Sequence, residues 1–393
     1  MTFGELEEKR IGIFGIGFHA HKCLYTLNDN GVDPVCYFDN HNEDCYFRGK
    51  KVFKPNKESL TGKFIIVAVS EDNYQPIRKQ LLDLGLIEFV DFIYYRLINH
   101  EIALLHGNCH VRVIKQFLEN SKEFSEKYSF YPMPVIMELE TMMITDEVFD
   151  KCKLFLGQDI RRENPYGESF ATEEIVKLLR KECRILIIPN LFGLGTLYFP
   201  QYKKGFNNGD RMVSMYIDGK WDPFGYFPFE DVIVEGLYNK GYEIKVIIEM
   251  CESEECITEN EILSCLESCI SKIRSREKNW DIKCADFIID NYKIHRLFYE
   301  PEHPTNYMFR YISDQILEKL GIHEDINAVD NLGYYEAPIY PSTYKYLGLK
   351  FDASVLRRDN NTRSLEEKMG LKEYINQYLW WHKEIINDNQ LSL

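Results

Sequence analysis

Within five residues, His106-Gly107-Asn108-Cys109-His110 places a thiol, two imidazoles and a carboxamide. A thiolate can accept an acyl group, and neighbouring imidazoles can supply positive charge or take a proton. Ile102-Ala103-Leu104-Leu105 before it is a short apolar run that reads as a buried strand. Val111 to Leu118 after it carries apolar residues at helical spacing. The spacing therefore predicts strand, glycine turn, cysteine, helix. The Cys109 sulfur then sits in the first turn of a helix, beside amide N–H groups that have no partner within it, a position that favours negative charge. The alternative is that Cys109 is a small buried hydrophobe.

In an open α/β sheet, ligands bind outside the C-terminal ends of the strands. Three predicted strand ends carry suitable groups: Gly107-Asn108-Cys109, Gly157-Gln158-Asp159 and Pro189-Asn190. A fourth group is His303, in a loop three residues after Glu300. Together they read as a thiol acyl-transfer site. Cys109 would be the nucleophile and His303 the general base, held by Glu300. Asn108, Gln158 and backbone amides would stabilise an oxyanion. Each member also has a plainer role. Gln158 and Asn190 could satisfy turn backbone, His303 could be an ordinary loop residue, His106 a buried and satisfied histidine, and His110 could face solvent. The strand–turn–nucleophile layout is shared with the serine elbow of α/β hydrolases, although the consensus differs. In order and role, the set resembles GDSL/SGNH-type hydrolases with Cys in place of Ser.

Two domains are expected to position these groups, 1–98 and 99–393. The first reads as an α/β unit with a parallel, Rossmann-like sheet. Strand Ile11-Gly12-Ile13-Phe14 leads into Gly15-Ile16-Gly17-Phe18-His19-Ala20 and a helix through Leu27. This G-x-G-x-x-A pattern is a variant of the dinucleotide-binding turn, in which glycines let a pyrophosphate approach a helix N-terminus. Asp39 ends the strand Val35 to Phe38, where an acidic ribose ligand would stand. Further strands are expected at Phe64 to Val69 and from Phe89-Val90, with a helix from Tyr74 to Leu84. The alternative is a tight turn in an accessory domain. In the second domain, strands are expected at Tyr131 to Ile136, Lys153 to Leu156 and Arg184 to Ile188, and helices at Thr172 to Lys181, Asp231 to Asn239, Ile262 to Arg274 and Tyr307 to Leu320. Cys284 to Tyr292 reads equally as helix or strand, and a final helix is expected to end near His382. The segment 191–229, rich in Gly, Pro, Asn and aromatics, has the length of a lid or binding loop.

Composition narrows the function classes. The chain has 393 residues, 45% of them hydrophobic and 28% charged, as in a globular protein. Its net charge of −15 speaks against a general nucleic-acid binder, which needs a basic face. The charged stretch Met1 to Arg10 does not read as a signal peptide, and the apolar runs are too short to span a bilayer, so a cytoplasmic protein without membrane insertion is expected. Its 11 cysteines are then most simply reduced thiols. Cys251, Cys256, Cys265 and Cys269 include no Cys-x-x-Cys pair, so no metal site is expected. Homo-oligomerisation is left open.

Two resemblances add to this reading. Gly15, Gly17, the strand ending at Phe38-Asp39, the Gly49-Lys50-Lys51-Val52 turn and Ile66 to Val69 make the N-terminal unit similar to the small domain of bacterial sugar O-acyltransferases. That implies a nucleotide or nucleotide-sugar ligand, although Phe18-His19-Ala20-His21 departs from the usual histidine-glycine closure of the first turn. Gly107-Asn108-Cys109, Pro189-Asn190-Leu191-Phe192 with Tyr198-Phe199-Pro200, Arg276-Glu277 and Leu297 to Pro304 resemble the WcbI family of capsular polysaccharide biosynthesis proteins, over roughly His100 to Tyr340. The resemblance implies binding of coenzyme A and acetylation of a sugar or glycan acceptor, with Cys109 as nucleophile and His303 as the histidine of the His-Pro motif. The family usually has Gln where this chain has His110, and it often lacks the N-terminal unit. Phosphates of coenzyme A would need cations, and Arg112, Arg161, Arg162, Lys203, Lys204 and Arg211 are available, with solvated faces as the alternative role. Gly107, His110, Arg112, Arg161 and Asn190 are the residues expected to contact the cofactor. A thiol-dependent esterase and a non-enzymatic assembly module are the rival readings.

Overall fold

Strands β1 (Ile11–Phe14) and β5 (Phe64–Val67) are buried at every position, the signature of central parallel strands covered on both faces. The computed structural model describes residues 1–42, 45–138, 146–202, 216–217, 220–221, 229–327, 336–352, 356–358 and 367–380. Around β1 and β5 lies a six-stranded sheet with β2 (Cys36–Phe38), β3 (Tyr46–Phe47), β4 (Lys50–Phe53) and β6 (Phe92–Tyr94), in the order β3-β4-β2-β1-β5-β6. Every neighbouring pair is parallel except β3 with β4. Helix α1 (Phe18–Asp29) follows β1, and α2 (Glu71–Asp83) follows β5. The order of strands reverses between β1 and β5, a switch point of the kind where open sheets bind ligands.

A second, four-stranded sheet is built from β7 (Glu101–His106), β8 (Tyr128–Phe130), β9 (Cys152–Gln158) and β10 (Arg184–Ile188), in the order β10-β9-β7-β8 and parallel throughout. Helix α3 (His110–Glu119) follows β7 and buries Val111, Ile114, Phe117 and Leu118. This i, i+3, i+6, i+7 stripe is the helical periodicity read from the sequence. Both sheets fall in one compact unit, 1–188 with 320–325; the rest of the chain forms a second. The expected boundary at 98/99 lies between the two sheets. One apolar core runs through the first unit, from Leu6 through Ile65 and Ile102 to Cys183.

A polar knot is set into that core. Arg78 on α2 donates from Nε to Glu88 (2.6 Å), and the hydroxyls of Tyr74 and Tyr131 also donate to Glu88. Arg78, Glu88, Tyr74 and Tyr131 are all buried. Tyr131 directly follows β8, so the knot joins the helix layer of one sheet to the edge of the other.

Several expected boundaries shift. The strand expected over Tyr131 to Ile136 lies instead at Tyr128–Phe130. Pro132 and Pro134 carry no N–H for the ladder, and only the Tyr131 amide continues the pairing, to Ala103 O at 2.9 Å. The strand expected from Phe89-Val90 is at Phe92–Tyr94, because Phe89 takes a positive φ of 64° and turns the chain. The helix expected over Thr172 to Lys181 stops as α4 (Thr172–Val176), where i to i−3 bonds from Leu178 and Leu179 tighten the chain into a turn.

The second unit is largely helical: α5 (Val232–Asn239), α6 (Ile244–Cys251), α7 (Glu259–Arg276), α8 (Ala285–Asn291), α9 (Asn306–Leu320) and α10 (Pro341–Leu347), with a helix over 371–380. Leu320 itself, the last residue of α9, is grouped with the first unit. The segment left undecided at Cys284 to Tyr292 is thus a helix. Lys203, Lys204, Arg211 and most of the aromatic segment before Phe229 lie outside the described residues, as does the last part of the helix expected to end near His382. Among the described residues, no helix is long and apolar enough to cross a membrane.

Asp231 caps α5 from a fully buried position. Its Oδ1 accepts from the amides of Ile233 (3.2 Å) and Val234 (3.1 Å), and its Oδ2 from the hydroxyls of Tyr340 (2.7 Å) and Tyr374 (3.4 Å). Burial pushes its carboxyl up from 3.8 to about 6, with the hydrogen bonds offsetting part of the rise. A raised native value means the neutral acid is the form that folding favours. Its contribution is complete below the unfolded value of 3.8 and is lost as pH rises through about 6. The loss is about 3 kcal/mol. Asp231→Asn keeps an acceptor for the two amides. Between pH 4 and 7, its stability relative to wild type should therefore rise. A difference independent of pH would contradict the assignment; urea denaturation at each pH provides the measurement.

Candidate functional site

The turn after β7 is shaped by a close approach. A Cβ on Gly107 would lie 2.6 Å from Oε1 of Gln158 and 2.6 Å from Cγ1 of Val111, so a larger residue would displace both. Without one, Gln158, wholly buried at the end of β9, reaches across to β7. Its Oε1 accepts from the Asn108 amide at 2.9 Å. That fixes its Nε2 as the donor to His110 Nδ1 at 3.3 Å, so His110 carries its proton on Nε2. The Gln158 carbonyl in turn accepts from Thr172 Oγ1, which accepts from the Ile160 amide at 3.0 Å.

Asn108 is oriented by the helix it precedes. Its Oδ1 accepts from the His110 amide at 3.0 Å. Its Nδ2 points the other way and donates to no acceptor among the described residues, although the residue is only 8% exposed. Cys109 is the N-cap of α3 and is partly exposed, and its side chain makes no capping bond to the helix. A thiol and a carboxamide thus stand on adjacent residues at the positive end of a ten-residue helix. Such a pair suits attack on a carbonyl carbon and stabilisation of the oxygen that becomes negative.

Both histidines of the motif are buried. His106 is buried, bonds through Nε2 to Phe170 O at 2.8 Å and stacks on Phe155. Burial pushes its imidazole down to about 4, so it stays neutral near pH 7. His110 is buried rather than facing solvent. Arg112 is ion-paired with Glu138, and Arg162 with Glu168, Glu173 and Glu174. Arg161 is exposed.

Glu300 and His303 lie in the second unit, on a turn closed by Tyr299 N to His303 O (2.9 Å) and Thr305 N to Leu297 O (2.9 Å). His303 Nδ1 lies against the buried Glu300 carboxylate, the i, i+3 pairing expected from the sequence. The other Glu300 oxygen accepts from the Glu302 amide at 2.8 Å. Two groups that the sequence reading missed support this turn. Arg296 donates to Phe298 O, Tyr299 O and Ala337 O and pairs with Glu336. Gly195 donates to Pro301 O at 3.0 Å. Arg296 stands just ahead of the Leu297 to Pro304 run, and Gly195 lies in a glycine-rich stretch with Gly193, so both were visible as residues but not as contacts. Asn190 uses its Oδ1 on the Phe192 amide (3.2 Å), and Arg276 holds the Asn190 and Phe192 carbonyls.

A Cβ on Gly195 would lie 2.4 Å from Glu300 O and 2.9 Å from Pro301 Cα, both backbone atoms. Gly195→Ala should therefore cost about 1–3 kcal/mol of stability and displace the Glu300–His303 turn. Chemical denaturation and the activity assay below check it; wild-type values in both would show that the turn tolerates the methyl group.

In the N-terminal sheet, Gly15 ends β1 with φ 107° and Gly17 is the N-cap of α1. Asp39 uses Oδ1 to accept from the His41 amide (2.9 Å) and the Asn42 amide (2.9 Å), so that oxygen organises its own loop.

Comparison with known proteins adds three findings. Residues 102–325, more than half of the chain, match the family described as polysaccharide biosynthesis enzyme WcbI. Among solved structures, the fold is similar to that of WcbI described as a native protein without a disulfide bond between coenzyme A and a cysteine. That similarity has a TM-score of 0.55 at 17% identity and covers 72% of this chain and 90% of the other. No curated protein matches the sequence.

Proposed function

The chain belongs to the WcbI family of polysaccharide biosynthesis enzymes, and from that premise we propose that it transfers an acetyl group from acetyl-coenzyme A to a sugar hydroxyl, using Cys109. The observation that carries the proposal is the Asn108–Cys109 turn. The helix amide of His110 holds the Asn108 carboxamide by its oxygen, and the next residue carries a partly exposed thiol. The WcbI structure with a similar fold is described in terms of coenzyme A and a cysteine together, which supports a coenzyme A ligand for the cysteine turn here.

The proposed chemistry has two steps. The Cys109 sulfur attacks the thioester carbonyl, the carbonyl oxygen becomes negative against Asn108 Nδ2, and the bond to the coenzyme A sulfur breaks, giving S-acetyl-Cys109 and free coenzyme A thiol. A sugar hydroxyl then attacks the S-acetyl carbon. His303 Nε2 takes the hydroxyl proton, Glu300 stabilises the imidazolium through Nδ1, and Cys109 leaves as thiolate. Gln158 acts by holding the Asn108 amide and His110 in place. The role of His303 with Cys109 is a chemical assignment, to be tested by single and paired variants. Exposed Arg161 is a candidate for the phosphates of coenzyme A. We further propose that the N-terminal sheet is a Rossmann-like module for a nucleotide or nucleotide-sugar at Gly15, Gly17 and Asp39, and that the protein works in the cytoplasm on capsule or surface-glycan precursors.

Incubation with acetyl-coenzyme A and hexose or hexosamine acceptors should release free thiol and yield an O-acetyl sugar by mass spectrometry. Release of acetate with no sugar product would mark an esterase instead. No thiol release and no coenzyme A retained on purification would defeat the proposal.

A further inference from the structure

Two thiols meet at the end of β9 opposite to Gln158. Cys152 opens β9, and Cys183 stands one residue ahead of β10. Their sulfurs lie 3.5 Å apart. Arg184 pairs with Leu154 in the parallel ladder, so the two cysteines stand one and two residues before a paired position on neighbouring strands. Neighbouring strands run about 5 Å apart, within the backbone span that a disulfide bridges. Rotation of the side chains, with the strand register kept, can close the gap.

The two thiols are not equivalent. Cys183 keeps 7% exposure against 2% for Cys152, and it lies between exposed Glu182 and Arg184 on the approach to an edge strand. Contact with Cys152, joined by the charge of Lys153, holds the Cys183 thiol below its ordinary value. The same contact, together with burial, pushes the Cys152 thiol up, and Cys152 donates to Leu154 O at 3.2 Å. Cys183 is therefore the sulfur that meets an oxidant first, and Cys152 stands in place to resolve it. The 31-residue span between them carries contacts of the cysteine turn. Gln158 accepts from the Asn108 amide, the Phe170 carbonyl bonds His106, and Thr172 donates to Gln158 O.

We propose that Cys152 and Cys183 form a modification site, a dithiol that a hydroperoxide converts to an intramolecular disulfide stapling the β9–α4–β10 crossover. With hydrogen peroxide as oxidant, the Cys183 thiolate attacks one peroxide oxygen. The O–O bond breaks, Cys183 becomes a sulfenic acid, and the released hydroxide takes a proton and leaves as water. The Cys152 sulfur then attacks the Cys183 sulfur. The S–O bond breaks, and the departing hydroxide takes the Cys152 proton as a second water. The two thiols lose two electrons, which reduce one peroxide to two waters. The inference concerns the stability of the crossover and does not rest on acetyl transfer.

The test is hydrogen peroxide treatment of the folded full chain, a quench in urea with N-ethylmaleimide, digestion without reduction, and mass spectrometry. A peptide linking Cys152 to Cys183 is expected, in Cys109→Ala as in wild type. The urea midpoint should be higher after peroxide than before, because closing a 31-residue loop restricts the unfolded chain. Dithiothreitol should return it to its starting value. Cys152→Ala and Cys183→Ala are each compared with themselves before and after peroxide, so any cost of the substitution cancels. Neither midpoint should rise. Cross-links confined to other cysteines, Cys183 oxidised to a sulfinic acid beside an unmodified Cys152, both thiols left unoxidised, a linked peptide without a midpoint rise, or an equal rise in the two variants would overturn the proposal.

Discussion

Cys109→Ala is expected to lower acetyl transfer by about 10³-fold or more, while leaving the denaturation midpoint close to that of wild type. The two effects separate because of where the residue sits. Its side chain is partly exposed and makes no capping bond to α3, so its removal opens no sealed cavity and uncaps no helix. Its neighbours make contacts that shape the turn: Gln158 to the Asn108 amide, Asn108 to the His110 amide, and Ile136 to the Gly107 carbonyl. Cys109→Ser should also fail, since a hydroxyl is far less ionised than a thiol near neutral pH. His303→Ala should preserve the first step and slow the second, so that thiol release shows a single burst without turnover. Wild-type rates in Cys109→Ala would remove the nucleophile assignment. A large loss of stability in that variant would instead mean that the cysteine is part of the core.

Glu88→Ala is expected to destabilise the first unit by about 3–5 kcal/mol. Glu88 receives the Arg78 guanidinium and the hydroxyls of Tyr74 and Tyr131, all in buried positions. Truncating it leaves a cation and two hydroxyls in a low-dielectric interior without their acceptor. The larger part of the cost is the stranded Arg78 charge. A paired change, Arg78→Met with Glu88→Leu, removes both charges at similar volume and should recover much of the loss. Urea denaturation of the two variants beside wild type measures the recovery. If Glu88→Ala costs less than about 1 kcal/mol, the pair is solvated in solution and does not join the two sheets as described.

Much of the cysteine turn was legible in the sequence, because its geometry is set by local rules. An apolar strand, a glycine and a 3.6-residue stripe from Val111 to Leu118 require a strand–turn–helix with Cys109 at the junction. Glu300 and His303 were legible for a similar reason, since three residues separate them on one turn. What the sequence could not show are contacts between distant segments. Gln158 was read as an oxyanion donor from its place at a strand end; that its amide bonds the Asn108 amide and His110 from about fifty residues away is a contact no spacing shows. Gly195 supports Pro301, and His106 bonds Phe170, through packing that no spacing encodes. The ion pairs of Arg112 and Arg162 were not legible either, because their glutamate partners, Glu138 and Glu173 among others, lie on other segments. The strand at Tyr131 was misplaced because its apolar character outweighed the two prolines that forbid it.

Mass spectrometry of the intact protein and its peptides after brief exposure to acetyl-coenzyme A, without acceptor, tests the central assignment most directly. The mass gain of one acetyl group on the peptide containing Cys109, accumulating in His303→Ala and absent in Cys109→Ala, is the predicted result. Acetylation confined to other residues, or transfer to a sugar with Cys109 never modified, would contradict it.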